Sequence, residues 1–179
     1  MRFKFTLFLL TLNVITFGLI LSLNKKTEQA NSQTGGLSAM IGREVIEADR
    51  IELNGKGLDT PRILEHDGSS WKITAPMQWS ANYFAINRML NQLQFLEEEA
   101  SFSVAEIKQT GQTLADYGLE EPQLHLTISH KDESIELSVG TATEIGNNFY
   151  LLGPSKKNVF VVNSQVIESL LVDLVDLRN

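Results

Sequence analysis

The sequence contains no cysteine, which excludes disulfides, a thiolate metal site and a lipid-modified N-terminal cysteine. Basic residues are also few, because 15 Lys and Arg stand against 22 Asp and Glu, for a formal net charge of −7. Nucleic acids and anionic lipid headgroups both require basic patches on their partners. We therefore expect no nucleic-acid partner.

The sequence also lacks the short motifs of common catalytic sites. It has no phosphate-binding loop, no H-E-x-x-H metal motif and no G-x-S-x-G nucleophile elbow. No two of its histidines, His66, His125 and His130, have the spacing of metal ligands on a helix. We expect no cofactor, no metal and no enzyme activity, although an acid and base that meet only in space would leave no local motif.

A long uncharged run stands near the N-terminus, at residues 5–23, after Arg2 and Lys4. Nineteen helical residues span roughly 28 Å, close to the hydrocarbon thickness of a bilayer. We predict a transmembrane anchor over residues 1–24 that contacts the lipid bilayer through residues 5–23. Asn13, near its middle, is either a tolerated polar residue or a hydrogen-bonding contact to a partner helix.

A cleaved signal peptide is the alternative to an anchor. The apolar run exceeds the usual length of about 7–15 residues, and the best cleavage position, after Ala30, has Glu28 where a small residue is preferred. Basic residues are nearly balanced on the two sides of the apolar run, so they do not decide its orientation. A short N-terminal tail usually stays in the cytoplasm. We place the N-terminus in the cytoplasm and the domain in the periplasm or its equivalent, after a flexible tether of residues 25–40 that contains Gly35-Gly36.

Residues 41–179 predict one soluble α+β domain. A half-buried strand at residues 50–53 precedes a β-hairpin within residues 61–76, whose turn contains Asp67-Gly68. Apolar spacing predicts a helix over residues 80–96, capped by Ser80. A four-stranded antiparallel meander over residues 124–162 and a final helix from Asn163 or Ser164 complete the order of strands, helix, strands and helix.

Three shorter features have alternative interpretations. Residues 114–122 predict a helical turn that ends at a left-handed Gly118, with Leu119 folding back on Leu114 as in a Schellman motif. The acidic run at residues 97–99 is either a cation site or a solvated helix end, and adjacent carboxylates on a helix do not share a face. Trp71 and Trp79 either form a surface contact that stacks on a ligand, or are a core residue and a rim residue.

The order of three stretches resembles a known family. They are residues 71–76 (WKITAP) with Ala81-Asn82 and the apolar stripe to Leu96, then Tyr117-Gly118-Leu119 with Pro122, then Phe149-Tyr150 through residues 159–162 to Leu177-Arg178. The chain is similar over about residues 45–178 to one half of a membrane-anchored extracytoplasmic protein of a family named only as a domain of unknown function. The resemblance implies an accessory protein of ABC-type transporters related to gliding-motility systems, and it implies no catalytic residues. Family members often carry a second, similar half after the position of Arg178, so we expect either a fragment or a short form with another use.

Three functions follow from these features as hypotheses. The first is a non-catalytic single-pass membrane subunit that acts as an accessory or scaffold part of a larger complex, with integral membrane proteins as partners. The second is an extracytoplasmic binding module for a peptide, a glycan or a lipid-linked ligand. The third is a hydrolase of an unfamiliar type, which requires a pocket with two converging titratable groups.

Overall fold

The computed structural model describes residues 36–179, so the predicted anchor, Asn13 and most of the predicted tether lie outside the described residues. The strands are β1 Arg50–Asn54, β2 Arg62–His66, β3 Trp71–Ala75, β4 Trp79–Ser80, β5 Glu98–Ser103, β6 Leu124–His130, β7 Glu133–Ala142, β8 Asn148–Leu152 and β9 Asn158–Asn163. The helices are α1 Leu37–Glu47, α2 Tyr83–Gln94, α3 Val104–Gln109, α4 Ser164–Leu170 and α5 Leu174–Leu177, with a 3₁₀ turn at Leu114–Tyr117. Within residues 36–179, no helix combines the length and the apolar character needed to cross a membrane.

All nine strands belong to one antiparallel sheet with the order β4-β3-β2-β1-β6-β7-β8-β9-β5. The α+β class is therefore confirmed for the described residues, as are the predicted β2–β3 hairpin and the meander of β6 to β9. Strands β4 to β1 form one half of the sheet, and the meander lies in the other half. The two halves meet where β1 pairs with β6, from Arg50 opposite Ser129 to Asn54 opposite His125.

One face of the sheet carries the main core. Alternation along β1 and β6 turns Ile51, Leu53, Leu126 and Ile128 toward this core and leaves the polar residues between them on the other face. Helix α1 packs on β6 and β7, and α4 packs on β8 and β9. Helix α2 packs against α1, α4 and α5, so these four helices are gathered on this side of the sheet.

A smaller apolar cluster involves β8, β9 and α3. The adjacent residues Leu151 and Leu152 of β8 belong to different clusters, because successive side chains of a strand point to opposite faces. Leu152 joins Ile107, Leu119 and Val159 in the smaller cluster. Three partly buried aromatic residues pack there with ring centres 4.9 to 6.4 Å apart, namely Phe102, Tyr117 and Tyr150.

The start of the domain differs from the prediction. Helix α1 begins at Leu37, inside the predicted tether of residues 25–40, and it was not predicted as a helix. Its buried residues Leu37, Ile41 and Val45 recur every four positions, so they form one stripe that packs into the core. The tethering prediction therefore does not hold for residues 37–40.

The predicted start of α2 was also wrong. Ser80 belongs to the short strand β4 and pairs with Lys72, whereas the helix is capped by Asn82. The side-chain oxygen of Asn82 accepts hydrogen bonds from the backbone nitrogens of Phe84 and Ala85, at 3.0 and 3.3 Å. Pairing with β3 fixes Ser80 in an extended conformation, so the cap lies two residues later than the sequence suggested and the helix begins at Tyr83.

Two predictions about turns have opposite outcomes. The Schellman motif is confirmed: Gly118 has φ of 67° and the backbone nitrogen of Leu119 donates to the carbonyl oxygen of Leu114 at 2.8 Å. The acidic run is not a helix end, because Glu98 and Glu99 begin strand β5.

The final helix is capped by Asn163, as predicted, but it ends at Leu170, and α5 follows as a separate short helix.

Candidate functional site

The candidate site is a groove between the exposed face of α2 and the first turn of α4. It has a volume of about 620 Å³. We call it the α2–α4 groove, and its lining residues are Phe84, Asn87, Arg88, Asn91, Gln92, Phe95, Asn163, Gln165 and Val166. Phe84 and Phe95 stand at the two ends of the polar residues that α2 contributes, which suits recognition of a ligand with both kinds of groups.

Helix α2 places two large aromatic side chains on its solvent-facing side. Phe84 is 78% exposed and Phe95, directly after the helix, is 69% exposed. The two are eleven positions apart, which is about three helical turns, so both lie on one side and are separated by about 16 Å along the axis. The opposite side of the helix is buried in the core through Ile86, Met89 and Leu93. Phe84 contacts only the exposed ring of Tyr83 among the described aromatic residues, with ring centres 5.7 Å apart, so folding leaves both phenylalanine rings largely in solvent.

Carboxamide side chains occupy the groove between the two phenylalanines. Asn87, Asn91 and Gln92 come from α2, while Asn163 and Gln165 come from the start of α4. The Asn163 side-chain oxygen is already used, since it accepts a hydrogen bond from the backbone nitrogen of Gln165 at 2.9 Å. The side-chain oxygen of Gln92 is buried and has no hydrogen-bond partner within residues 36–179. The side chains of Asn87, Asn91 and Gln165 therefore offer both donors and acceptors to a ligand, because a carboxamide carries an NH₂ group and a carbonyl oxygen.

Arg88 supplies the charge of the groove. It is exposed, and none of the ion pairs formed by the described residues includes it. No acidic residue lines the α2–α4 groove in the described structure. A neighbouring groove of about 350 Å³ shares Phe84 and Arg88 and extends to Asp176 near α5. The guanidinium of Arg88 is thus available to an anionic group that enters the α2–α4 groove.

The predicted surface contacts, Trp71 and Trp79, lie outside this groove. Trp71 is 8% exposed and its ring packs beside His66 with ring centres 5.2 Å apart. Trp79 is partly buried, and the guanidinium carbon of Arg178 lies 5.1 Å from the centre of its ring. The structure therefore places one tryptophan in the core and the other under a cation, and their role in contacts with other molecules stays a prediction.

The histidines and the acidic run do not converge on the groove either. His130 lies 3.5 Å from the carboxylate of Asp49, and His125 contacts Ser138 at 3.2 Å. Glu98 accepts a hydrogen bond from the backbone nitrogen of Leu37 at 3.0 Å. In the part of the chain that the structure describes, no three His, Asp or Glu side chains are grouped so as to hold a metal ion.

The polar face of the sheet is rich in charges that already pair with one another. Arg50 bonds to Glu52 at 2.7 Å and also to Glu65, and these contacts, with the Glu52 hydrogen bond foremost, raise the pKa of Arg50. Lys72 lies 2.6 Å from Asp67 and, with the Ser69 and Ser70 donors, holds the pKa of that carboxyl well below its usual range. This face consequently offers paired, solvated charges, in contrast to the unpaired Arg88.

Comparison with known proteins identifies the family of the chain. A family model described as Domain of unknown function (DUF4340) matches residues 71–179, and the chain belongs to this family. The matched segment includes the whole α2–α4 groove and starts later than the resemblance at about residues 45–178 suggested. No curated protein matches the chain, and no solved structure does.

The sequence predicted the polar side of α2 but not the groove. The apolar spacing that predicted the helix leaves Asn87, Arg88 and Asn91 on its other side, but it assigned no role to Phe84 and Phe95. Their spacing from Arg88, four positions before and seven after, was the available signal, because these intervals keep residues on one side of a helix. The contribution of α4 had no local signal, since it depends on tertiary packing.

Proposed function

We propose that this chain is a non-catalytic single-pass membrane subunit whose extracytoplasmic α+β domain is an accessory or scaffold part of a larger membrane protein complex. The observation that carries the proposal is the pair of exposed phenylalanines, Phe84 and Phe95, at the two ends of the α2–α4 groove. Exposed aromatic side chains that border a groove are typical anchors of protein–protein interfaces. The partners would be integral membrane proteins.

The membrane part of the proposal rests on the sequence alone. Residues 5–23 carry no charge and have the length of a membrane span, which supports an anchored chain with its N-terminus in the cytoplasm and its domain in the periplasm or an equivalent space. The resemblance to accessory proteins of gliding-motility-type ABC transporters makes such a transporter the specific partner that we propose to look for.

A binding module for a peptide, a glycan or a lipid-linked ligand is the second candidate. The carboxamide row of the groove favours it, because Asn and Gln side chains can pair with the donors and acceptors of a polar ligand. The volume of about 620 Å³ also lies within the ~300–1,000 Å³ range of ligand pockets. Both candidates use the same groove and differ in whether the occupant belongs to a stable complex.

The test is a purification of the full-length chain in mild detergent, with mass spectrometry of the proteins that stay bound. Wild type is compared with Phe84→Ser/Phe95→Ser and with the control Ile145→Ser, which alters a residue that is 87% exposed on the β7–β8 loop. We expect stoichiometric membrane proteins with wild type and with the control, and their loss from the double variant. A bare wild-type monomer would contradict the proposal.

A further inference from the structure

We infer that the α2–α4 groove binds an extended peptide segment of a partner protein, with an acidic side chain on Arg88 and an apolar side chain against each of Phe84 and Phe95. This inference rests on the proposed function and specifies its partner. It follows from three properties of the groove: its charge, its hydrogen-bonding groups and the spacing of its aromatic rings.

The charge selects an acidic group. Among the described residues that line the groove, Arg88 alone is charged, and it has no carboxylate partner within residues 36–179. The chain as a whole has a formal net charge of −7, so an isolated cation between two aromatic rings differs from the general surface. A guanidinium binds a carboxylate through two parallel hydrogen bonds, which gives both strength and orientation.

The carboxamides select an extended backbone rather than a helix. The backbone N–H and C=O groups of a bound helix are used within the helix, so it would leave Asn87, Asn91 and Gln165 without backbone partners. An extended segment presents these groups along its edges, where donors and acceptors of the carboxamides can pair with them.

The spacing sets the order of side chains in the segment. Along the axis of α2, Arg88 lies about 6 Å and Phe95 about 16 Å from Phe84. An extended chain advances about 3.3 Å per residue and turns alternate side chains to one face. Apolar, acidic and apolar residues at alternate positions therefore cover about 13 Å, which comes within about 3 Å of the separation of Phe84 and Phe95 along the axis. The predicted motif is apolar-x-acidic-x-apolar.

The experiment uses an array of peptides with the pattern Leu-x-Glu-x-Leu, each beside a partner peptide in which Gln replaces Glu. The full-length chain in detergent is applied as wild type, Arg88→Gln, Phe84→Ser/Phe95→Ser and the control Ile145→Ser. We expect wild type and the control to bind Glu peptides about tenfold more tightly than their Gln partners, which is the effect of one charge-assisted hydrogen-bonded pair. Arg88→Gln should abolish that preference, and the double phenylalanine variant should abolish binding.

Several results would overturn the inference. They are no bound peptide, equal binding of Glu and Gln peptides, or a preference that Arg88→Gln leaves unchanged. Competition by a neutral glycan, or self-association of the chain through Phe84 and Phe95, would assign the groove to another occupant. If the detergent purification depends on the phenylalanines while Arg88→Gln changes nothing, the proposed function stands and this inference fails. If the wild type is purified as a bare monomer but still prefers Glu peptides, this inference stands and the proposed function fails.

Discussion

Arg62 on β2 donates a hydrogen bond from Nη1 to the carbonyl oxygen of Val172, which lies 110 residues further along the chain. The arginine is 5% exposed, and its Nε has no hydrogen-bond partner among residues 36–179. Burial lowers the pKa of the Arg62 guanidinium, whereas Asp173 and Asp59 act in the opposite direction. This contact connects the first hairpin to the segment between α4 and α5, beside the neighbouring groove.

We expect Arg62→Ala to lower the free energy of unfolding by about 2–4 kcal/mol, because the Val172 carbonyl loses its donor and a buried site is emptied. The control is Arg43→Ala on α1, where the arginine side chain is 78% exposed and the change should stay within about 0.5 kcal/mol. Urea unfolding followed by tryptophan fluorescence measures both. Equal losses for the two variants would contradict the structural role of Arg62.

Gly118 and Gly111 provide a matched pair of glycine substitutions. Both have positive φ, 67° and 79°, but a Cβ on Gly118 would lie 2.6 Å from Thr141 Cγ2 and 2.8 Å from the Thr141 backbone nitrogen, whereas one on Gly111 would meet no atom within 4 Å. Gly111→Ala should cost about 1–2 kcal/mol for the left-handed backbone. Gly118→Ala should cost roughly 1–3 kcal/mol more, because β7 must move away from the turn.

The measurement for this pair is the difference between the two midpoints of urea unfolding. Far-ultraviolet circular dichroism of each variant before unfolding verifies that the strands remain. If both substitutions cost the same, the close approach between Gly118 and Thr141 does not constrain the fold.

The capping box of α3 predicts a pH dependence of stability. The Glu106 carboxylate accepts a hydrogen bond from the Ser103 backbone nitrogen at 2.7 Å, and this bond, with that of the Ser103 hydroxyl, holds the pKa of Glu106 below its ordinary value of 4.5. Because the pKa is depressed in the folded state, the stabilisation is complete above pH 4.5 and disappears as the pH falls through the folded-state pKa. The wild type should therefore exceed Glu106→Gln in stability at neutral pH.

Thermal unfolding of both proteins over a pH series tests this prediction. Glutamine keeps an oxygen acceptor at the same position, so the difference in unfolding free energy between wild type and Glu106→Gln reports mainly the charge. We expect that difference to vanish at the acid end of the series. Glu144→Gln, in the exposed loop after β7, is the control and should show no such convergence. A difference that stays constant with pH would refute the prediction.

The two tryptophans should differ in their access to solvent. Trp71 is 8% exposed in the core, whereas Trp79 lies at the edge strand β4 beneath Arg178. Acrylamide should therefore quench the fluorescence of Trp71→Phe, in which Trp79 remains, more strongly than that of Trp79→Phe. The sequence contains only these two tryptophans, so each variant reports on one site. Equal quenching would show that Trp79 is as inaccessible as Trp71.

The predictable parts of the fold were those set by local patterns. Alternation of apolar and polar residues identified the meander, and the Leu114, Gly118 and Leu119 combination identified the Schellman motif, since each pattern is decided within a few residues. Helix α1 was missed although Leu37, Ile41 and Val45 recur every four positions. Gly42 and the polar segment before Leu37 obscured that stripe, and packing on β6 and β7 stabilises the helix.

The groove could be predicted only in part for a related reason. The polar residues of α2 mark its solvent side, but Asn163 and Gln165 reach the groove because α4 packs against α2 across about seventy residues of intervening sequence. Ser80 shows the same limit at a boundary, because pairing with Lys72 prevails over its local preference for a helix cap. Contacts between distant parts of the chain therefore determine the groove and the start of α2, and local sequence patterns could not predict them.

Strands β1 and β2 occupy the middle of the sheet but lie outside the stretch that matches the family. The family match starts at Trp71, yet β1 and β2, which precede it, lie between β3 and β6. A polypeptide that begins at Trp71 would separate the β3–β4 hairpin from the rest of the sheet and leave β3 and β6 with unpaired edges, which are prone to pair with other chains. In this protein, the stretch by which the family is recognised is shorter than the compact structural unit, which extends back to Leu37.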